Sequence, residues 1–343
     1  MQKIIAKINL KNLRENALAF KRSMKTALCA VVKANAYGHG ATETASALYP
    51  VADFFAVALI EEAIEIAAAA GGKPVLIFTP PTSEETVLFA AVYGFVLTVA
   101  DMPSARLVKT TAEKYGVEVR VHLKVNTGMN RYGVYGSWLG RVCAYIVNCP
   151  RVRVEGVYSH LYTHDKRRAE EQRQRFLAAL SITKRYFPYA IAHLSATYGA
   201  TLGEEFSFDA VRIGLGLYGY FAGEETPFAL KPVMSVYAES LGTRKYLFGG
   251  LGYGDELQAD GKEHSVLRVG YADGAGHDRR GGNAFQVQND FCMDACMVKG
   301  KIARGKKAEL FSSAERIASD RETIVYEVLC LYGARAERRY EEN

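Results

Sequence analysis

Ala30-Val31-Val32-Lys33-Ala34-Asn35-Ala36-Tyr37-Gly38-His39-Gly40 joins three signals in one short stretch. Leu28 to Val32 is an apolar run with the length and β-branched content of a buried strand. A single lysine stands at its far end, and glycines follow where a strand would turn into a helix. An amine held in an apolar pocket gives up its proton readily, because burial disfavours the ammonium form, and a neutral lysine amine forms imines. A lysine that merely caps a strand and points into water fits the same spacing.

Outward from this stretch the chain alternates. Strand-like runs fall at 26–34, 53–59, 74–80, 95–99, 117–126, 152–161, 189–195 and 210–217. Asn12 with Glu15 reads as a capping box opening a first helix, with Leu13, Leu18 and Phe20 on its apolar side. A helical pattern over 61–70 stops at Gly71-Gly72, and another over 83–93 stops at Gly94. The charged stretch from Lys166 to Tyr186 is the clearest helix, with Phe176, Leu177, Leu180 and Ile182 inward and its charges on a solvated face. Eight strands alternating with helices predict an α/β fold, an N-terminal (β/α)8 TIM barrel over 1–225. Its first strand-like residues are free to pair with a second domain. Phe221-Ala222-Gly223-Glu224-Glu225-Thr226-Pro227 reads as a loop, after which helical periodicity fades. Short β-prone runs at 233–241, 265–271, 285–298 and 323–332 predict a mainly β domain over 226–343, with a frayed charged tail after Ala334.

A barrel gathers chemistry at the C-terminal ends of its strands. Lys33 ends the first predicted strand, Arg131 lies in the loop after the fifth and His160 ends the sixth. Thr197 follows the seventh and Arg212 lies in the eighth.

The length of 343 residues accommodates one large domain and a smaller one, and 49% hydrophobic with 23% charged residues is ordinary globular composition. A net charge of +6 is mild and no basic–aromatic patch concentrates it, so nucleic acid is not an expected partner. Cys29, Cys143, Cys149, Cys292, Cys296 and Cys330 lie mostly in apolar runs and read as reduced thiols. Cys292 and Cys296 lack the companion ligands of a zinc site, so no metal is expected. With no apolar leader segment and no run of membrane-spanning length, the expected location is the cytoplasm, without a membrane partner.

The motifs narrow the chemistry. Lys33-Ala34-Asn35-Ala36-Tyr37-Gly38-His39-Gly40 closely resembles the cofactor-lysine motif of the alanine racemases. The resemblance implies that Lys33 carries pyridoxal 5'-phosphate in imine linkage and that Tyr37, one helical turn on, holds its phosphate. Lys124-Val125-Asn126-Thr127-Gly128-Met129-Asn130-Arg131 resembles the family's Thr-Gly-Met-x-Arg segment. Arg131 would then lie beside the cofactor's phenolic oxygen and the substrate carboxylate, a group that a planar guanidinium pairs bidentately. Lys124 matches a lysine often carried as a carbamate, an anion able to orient Arg131; a lysine reaching solvent or pairing with a carboxylate is the alternative. Glu155-Gly156-Val157-Tyr158-Ser159-His160 resembles the segment whose histidine orients a catalytic tyrosine, though a histidine at a strand end is often structural. His193-Leu194-Ser195-Ala196-Thr197 matches the phosphate-binding segment, with Thr197 where serine is usual and Ala196 where asparagine is common.

Val211-Arg212-Ile213-Gly214-Leu215-Gly216-Leu217-Tyr218-Gly219 is the second strong match. It implies Arg212 against the pyridine nitrogen and the backbone N–H groups of Gly214 and Leu215 at the phosphate. An arginine is already protonated and cannot take a proton from the ring, so the ring stabilises a carbanion less fully than one partnered by a carboxylate. That restrains transamination and suits a reaction that only breaks and remakes Cα–H. Leu251-Gly252-Tyr253-Gly254 and Val269-Gly270-Tyr271-Ala272-Asp273-Gly274 match the family's paired tyrosine motifs, with Tyr253 as second base and Tyr271 in the substrate site. A tyrosine titrates near ~10, so its phenolate needs a helper, a role the resemblance gives to His160 with Arg212. Cys292-Met293-Asp294 would bring the Met293 backbone to the substrate carboxylate, and Tyr326-Glu327-Val328 would bring Tyr326 to the phosphate and pocket. Any one tyrosine among 21 is more often packing than chemistry; order and context give these their weight.

The resemblance runs from about residue 3 to residue 333. Departures are Asn126 where aspartate is usual, Ala196, Val325, and a shortened segment over 274–291; the first three bear on rate or cofactor affinity. The implied activity is two-base racemisation of alanine, Tyr253 acting on the L- and Lys33 on the D-enantiomer, in a homodimer that shares its sites and supplies D-alanine for peptidoglycan. A racemase for serine or another small amino acid stays open, as does a non-catalytic carrier of the cofactor. Tyr253 argues against the carrier, which needs no second base.

Overall fold

Strand β1 (Ile5–Asn9) and helix α1 (Leu10–Met24) open the computed structural model, which describes residues 4–223, 226–253, 258–277, 287 and 290–342. The cap of α1 lies three residues before the expected one: Asn9 Oδ1 accepts the Asn12 N–H at 2.8 Å, and the Asn12 side chain donates instead to the Pro232 carbonyl. Leu13, Ala17 and Phe20, one helical stripe, are fully buried; Leu18 is only half-buried.

The alternation then holds throughout the first unit, which comprises residues 13–34 and 41–230. Its strands are β2 (Ala27–Val31), β3 (Phe54–Val57), β4 (Val75–Ile77), β5 (Val96–Val99), β6 (Val119–Lys124), β7 (Val152–Tyr158), β8 (Ile191–His193) and β9 (Ala210–Ile213). Between them run the short turn α2 (Lys33–Tyr37), α3 (Ala41–Leu48), α4 (Ile60–Ile66), α5 (Glu84–Tyr93), α6 (Met102–Tyr115), α7 (Gly136–Val147) and α8 (Lys166–Tyr186). All seven ladders are parallel, in the order β8-β7-β6-β5-β4-β3-β2-β9. Two backbone bonds tie the outer strands together, Asp209 N–H to Ala192 O and Arg212 N–H to Ser195 O, completing the TIM-like barrel. Strands such as β3 are buried at every residue, as parallel strands covered on both faces must be. On α8 the inward stripe is Ala169, Gln172, Phe176, Ala179 and Thr183, so of the four expected inner residues Phe176 is buried and Leu177, Leu180 and Ile182 are half-buried.

The second unit comprises residues 1–12, 35–40 and 231–343. β10 (Met234–Lys245), β11 (Glu263–Leu267), β12 (Cys296–Lys299) and β13 (Lys307–Phe311) are followed by α9 (Ala314–Asp320), α10 (Val325–Arg335) and β14 (Glu337–Glu341). The sheet runs β12-β11-β10-β1-β14, with β13 also on β10. Two expectations fail here. The β-prone run at 323–332 is helix α10, whose Val328, Leu329 and Tyr332 form one buried helical stripe. The expected frayed tail is a strand: β14 pairs in parallel with β1, Ile5 opposite Glu337 and Ile8 opposite Tyr340. The shortened segment over 274–291 and the run at 285–298 lie partly outside the described residues, as do Glu224, Glu225 and Gly254.

Candidate active site

Lys33 follows β2, and the turn it opens has an unexpected hand. Ala34, Asn35, Ala36 and Tyr37 have φ of +53°, +51°, +53° and +53°, a left-handed turn built without glycine. Each such residue costs about 1–2 kcal/mol, so the turn persists only because its surroundings hold it. Glu62 supplies one hold: Oε1 accepts the Ala34 N–H at 2.7 Å, while Oε2 accepts the N–H groups of Ala58 (2.7 Å) and Leu59 (3.1 Å). The same carboxylate thus caps α4 and pins the residue after Lys33. His39 supplies another, its Nδ1–H facing the Ala36 and Tyr37 carbonyls at 3.0 and 3.1 Å. Burial drives the His39 pKa down to about 4, so the ring is neutral. Arg338 Nε donates to the Gly38 carbonyl at 2.8 Å. Gly38 itself has φ +84°, and a Cβ there would lie 2.4 Å from the Leu329 carbonyl oxygen, so no other residue fits.

Beyond this turn the barrel unit collects cations. Arg212 is 2% exposed and has no carboxylate partner among the described residues. It donates to the Ser159 carbonyl (2.6 Å), the Leu194 carbonyl (2.8 Å) and His193 Nδ1 (3.0 Å), with His160 Nδ1 at 3.5 Å; its Nε makes none of these bonds. Burial lowers its pKa, although a guanidinium stays charged at any working pH. Desolvation holds His160 well below the ordinary imidazole value, and Arg212, Lys124, Arg131 and Lys33 all add to that effect. These five residues therefore share one electrostatic site. Lys124, at the end of β6 and 4% exposed, is also held well below its ordinary value, by burial and then by Arg212 and Arg131. Its Nζ sits 4.9 Å above the Tyr158 ring and has no acidic partner among the described residues.

Arg131 is exposed, with its guanidinium 5.0 Å from the Tyr132 ring. The loop before it is folded by Asn126, whose Oδ1 accepts the N–H groups of Gly128 and Asn130 and whose Nδ2 donates to Asn130 Oδ1 at 3.0 Å. An aspartate could accept the same two bonds but could not donate the third. Thr197 is buried, and its Oγ1 accepts the Gly216 N–H at 3.2 Å, joining the segment after β8 to the Gly214-Leu215 turn after β9.

In the second unit, Tyr37 lies against Tyr326 with ring centroids 5.7 Å apart, and burial pushes both phenols up, so both hydroxyls stay protonated donors. Tyr271 N–H donates to the Cys292 carbonyl and Ala272 N–H to that of Met293, at 3.1 and 3.0 Å. A Cβ on Gly270 would fall 2.2 Å from the Cys292 oxygen. Tyr271 and Met293 are thereby brought together, both partly exposed, and Tyr253 stands 72% exposed.

Three residues of this arrangement escaped the sequence reading. Glu62 stands where a capping-box glutamate would, but Leu59 at the cap position hides the signal. His122 and His193 occupy inward strand positions, and only the period-2 spacing of Arg120, His122 and Lys124 along β6 hinted at it.

A parallel barrel with an amine after its first strand and, among the described residues, a buried arginine without a carboxylate partner and neutral histidines has the layout of a barrel enzyme. The chain belongs to the alanine racemase family: residues 8–222 match the family's N-terminal domain and 233–340 its C-terminal domain. It is 31% identical to the alanine racemase of Desulfovibrio desulfuricans, over 98% of each chain. The solved alanine racemase of Clostridium difficile 630 superimposes with a TM-score of 0.90 at 26% identity, covering 100% of this chain and 97% of the other. That of Bartonella henselae, solved with covalently bound pyridoxal phosphate, gives 0.86 at 26% identity, covering 99% of this chain and 100% of the other. No helix among the described residues is long and apolar enough to cross a membrane, and no acidic, histidine or cysteine group there could hold a metal.

Proposed function

We propose that this chain interconverts L- and D-alanine with pyridoxal 5'-phosphate, using Lys33 and Tyr253 as bases on opposite faces of the substrate. The observation that carries the reading is Arg212: a buried guanidinium held by carbonyls and a neutral histidine, with no carboxylate partner among the described residues. Such a group suits an unprotonated ring nitrogen, because it can only donate. Carried over from the family, the phosphate would take hydroxyls from Tyr37, Thr197 and Tyr326 and backbone N–H groups from Gly214 and Leu215. When bound, the cofactor supplies the electron-withdrawing system that acidifies Cα–H.

Lys33 Nζ anchors the cofactor and takes or gives a proton at Cα on the D-face. Tyr253 Oη does the same on the L-face, so the configuration inverts without turning the substrate. His160, whose Nδ1 lies 3.5 Å from Arg212 Nη2, is the ring that steadies the phenolate. Arg131 and the Met293 backbone receive the substrate carboxylate, and Tyr271 and Tyr326 border the small side-chain pocket. Lys124 is the site for a carbamate. Burial and two guanidiniums push its amine toward the neutral form, the form that adds to CO2 with loss of one proton and would leave an anion in the field of Arg212 and Arg131. Tyr253, Leu247 and Phe248 are 72%, 77% and 90% exposed, which favours a homodimer in which each chain completes the other's site. Six free cysteines accord with work in a reducing cytoplasm, where D-alanine feeds peptidoglycan.

Borohydride reduction of the holoenzyme, then peptide mass mapping, tests the assignment. The cofactor's mass on the Lys33 peptide is expected, and attachment at any other lysine overturns it. The same map reports a CO2 adduct on Lys124 when digestion is kept alkaline.

A further inference from the structure

Behind Arg212 lies a pair of histidines that the mechanism above does not use. His193 Nδ1 is 3.0 Å from Arg212 Nη1, and His193 Nε2 is 2.9 Å from His122 Nδ1. Both rings are buried, and His193 stacks flat on Tyr158 at 4.9 Å with 3° between planes. The barrel makes room for His122 in a specific way. The residue opposite it on β7 is Gly156, where a Cβ would lie 2.7 Å from the imidazole Cε1 and Nε2. The β6–β7 register also shifts between Val121 and His122.

Hydrogen-bond chemistry orders this chain in one direction. A guanidinium only donates, so His193 Nδ1 must accept. Desolvation and the Arg212 charge hold His193 well below its ordinary pKa, and desolvation with the Arg120 and Arg212 charges brings His122 down to about 3, so both rings are neutral. A neutral ring that accepts at Nδ1 carries its proton at Nε2; His193 therefore donates to His122 Nδ1, and His122 also carries its proton at Nε2. The reverse tautomer of either ring would set two N–H groups against each other in a dry interior, an arrangement that leaves buried donors unmet.

We propose that His122 is a positioning residue that acts through His193, locking it in the Nε2–H tautomer so that Arg212 always finds an acceptor and its guanidinium plane stays fixed. The functional consequence rests on the reading above, in which Arg212 meets the cofactor's ring nitrogen as a donor. Without an acceptor at position 122, the His193 Nε2–H is stranded. The ring then turns or changes tautomer, Arg212 loses one of its supports, and control over the ring nitrogen loosens. Racemisation slows and the share of turnovers diverted to transamination rises.

The test is 15N NMR of histidine-labelled holoenzyme, beside kinetics of two variants. In the wild type both residues are expected to show a protonated Nε2 and an unprotonated Nδ1. His122→Asn, whose Oδ1 can stand in for Nδ1, keeps that pattern at His193. His122→Leu, which cannot accept, scrambles it, lowers kcat by about tenfold with a smaller change in KM, and raises the transamination share. A His193 protonated at Nδ1 in the wild type overturns the proposal without need of any variant. So does a His122→Leu enzyme with unchanged His193 signals and kcat. If the tautomer scrambles and kcat falls but the transamination share stays constant, the lock stands and the placement of Arg212 at the ring nitrogen falls.

Discussion

In the barrel unit Arg212, Lys124 and Thr197 are 2%, 4% and 6% exposed, whereas in the second unit Tyr253, Tyr271 and Met293 are 72%, 39% and 55% exposed. The first set is wired into the fold, with buried charge offset by carbonyls and neutral imidazoles instead of acids. The second is presented on short turns, braced by backbone bonds such as Tyr271 N–H to the Cys292 carbonyl. Enclosed groups keep their pKa values fixed because water cannot rescreen them. Exposed groups gain that setting only when something covers them. Under the proposed function, the enclosed residues of the barrel unit would tune the cofactor, and the exposed residues of the second unit would be the ones offered to a second copy.

The largest expected effect tests the built half. If Lys33 is both anchor and base as proposed, Lys33→Ala is expected to lower racemisation by roughly 10⁴-fold or more, measured by chiral chromatography. Tyr253→Phe is expected to lose about 10²–10⁴-fold in racemisation while still exchanging the Cα hydrogen of D-alanine in D2O, since Lys33 serves that face alone. Mixing the two inactive variants under subunit exchange sharpens the comparison. A shared-site dimer recovers up to about a quarter of wild-type activity, because half the dimers are mixed and each carries one intact site. No recovery would mean that each chain uses its own Tyr253.

Acid weighs on the barrel unit through three depressed histidines, against one, His39, in the second unit. His122, His160 and His193, all in the barrel unit, are held far below the ordinary value of 6.5. Below about pH 6.5 the unfolded chain binds protons that these rings refuse, so stability declines as pH falls, by up to about 1.4 kcal/mol per histidine per pH unit. Urea unfolding at pH 7 and pH 5.5 measures the slope, and a flat profile would contradict their burial as neutral rings. Smallest is Glu62→Ala, which frees the N–H groups of Ala34, Ala58 and Leu59. It is expected to cost about 1–3 kcal/mol of stability and to slow cofactor reattachment to the apoenzyme, followed by absorbance.

Most of the barrel was legible because parallel strands buried on both faces read as unbroken apolar runs, and all eight lie within the runs marked for them. The second unit was less so. Its α10 is rich in Val, Leu and Tyr, residues that suit a strand as well as a buried helix, and β14 reads as a charged tail because its partner β1 is more than three hundred residues away. The motif at Lys33 announced a turn but not its hand, since four consecutive positive φ values without glycine have no compositional mark. Lys124 was visible as a motif residue, yet its burial in the field of two guanidiniums, which holds its amine well below the ordinary value, was not. The histidine pair behind Arg212 stayed hidden because inward strand positions more than seventy residues apart meet only when the barrel is built.

The most direct measurement is chiral chromatography with mass analysis of the holoenzyme incubated in D2O with L-alanine and, separately, with L-serine. D-alanine carrying one deuterium at Cα, formed much faster than D-serine, is the expected result. Absence of D-alanine, or D-serine formed faster, would contradict it.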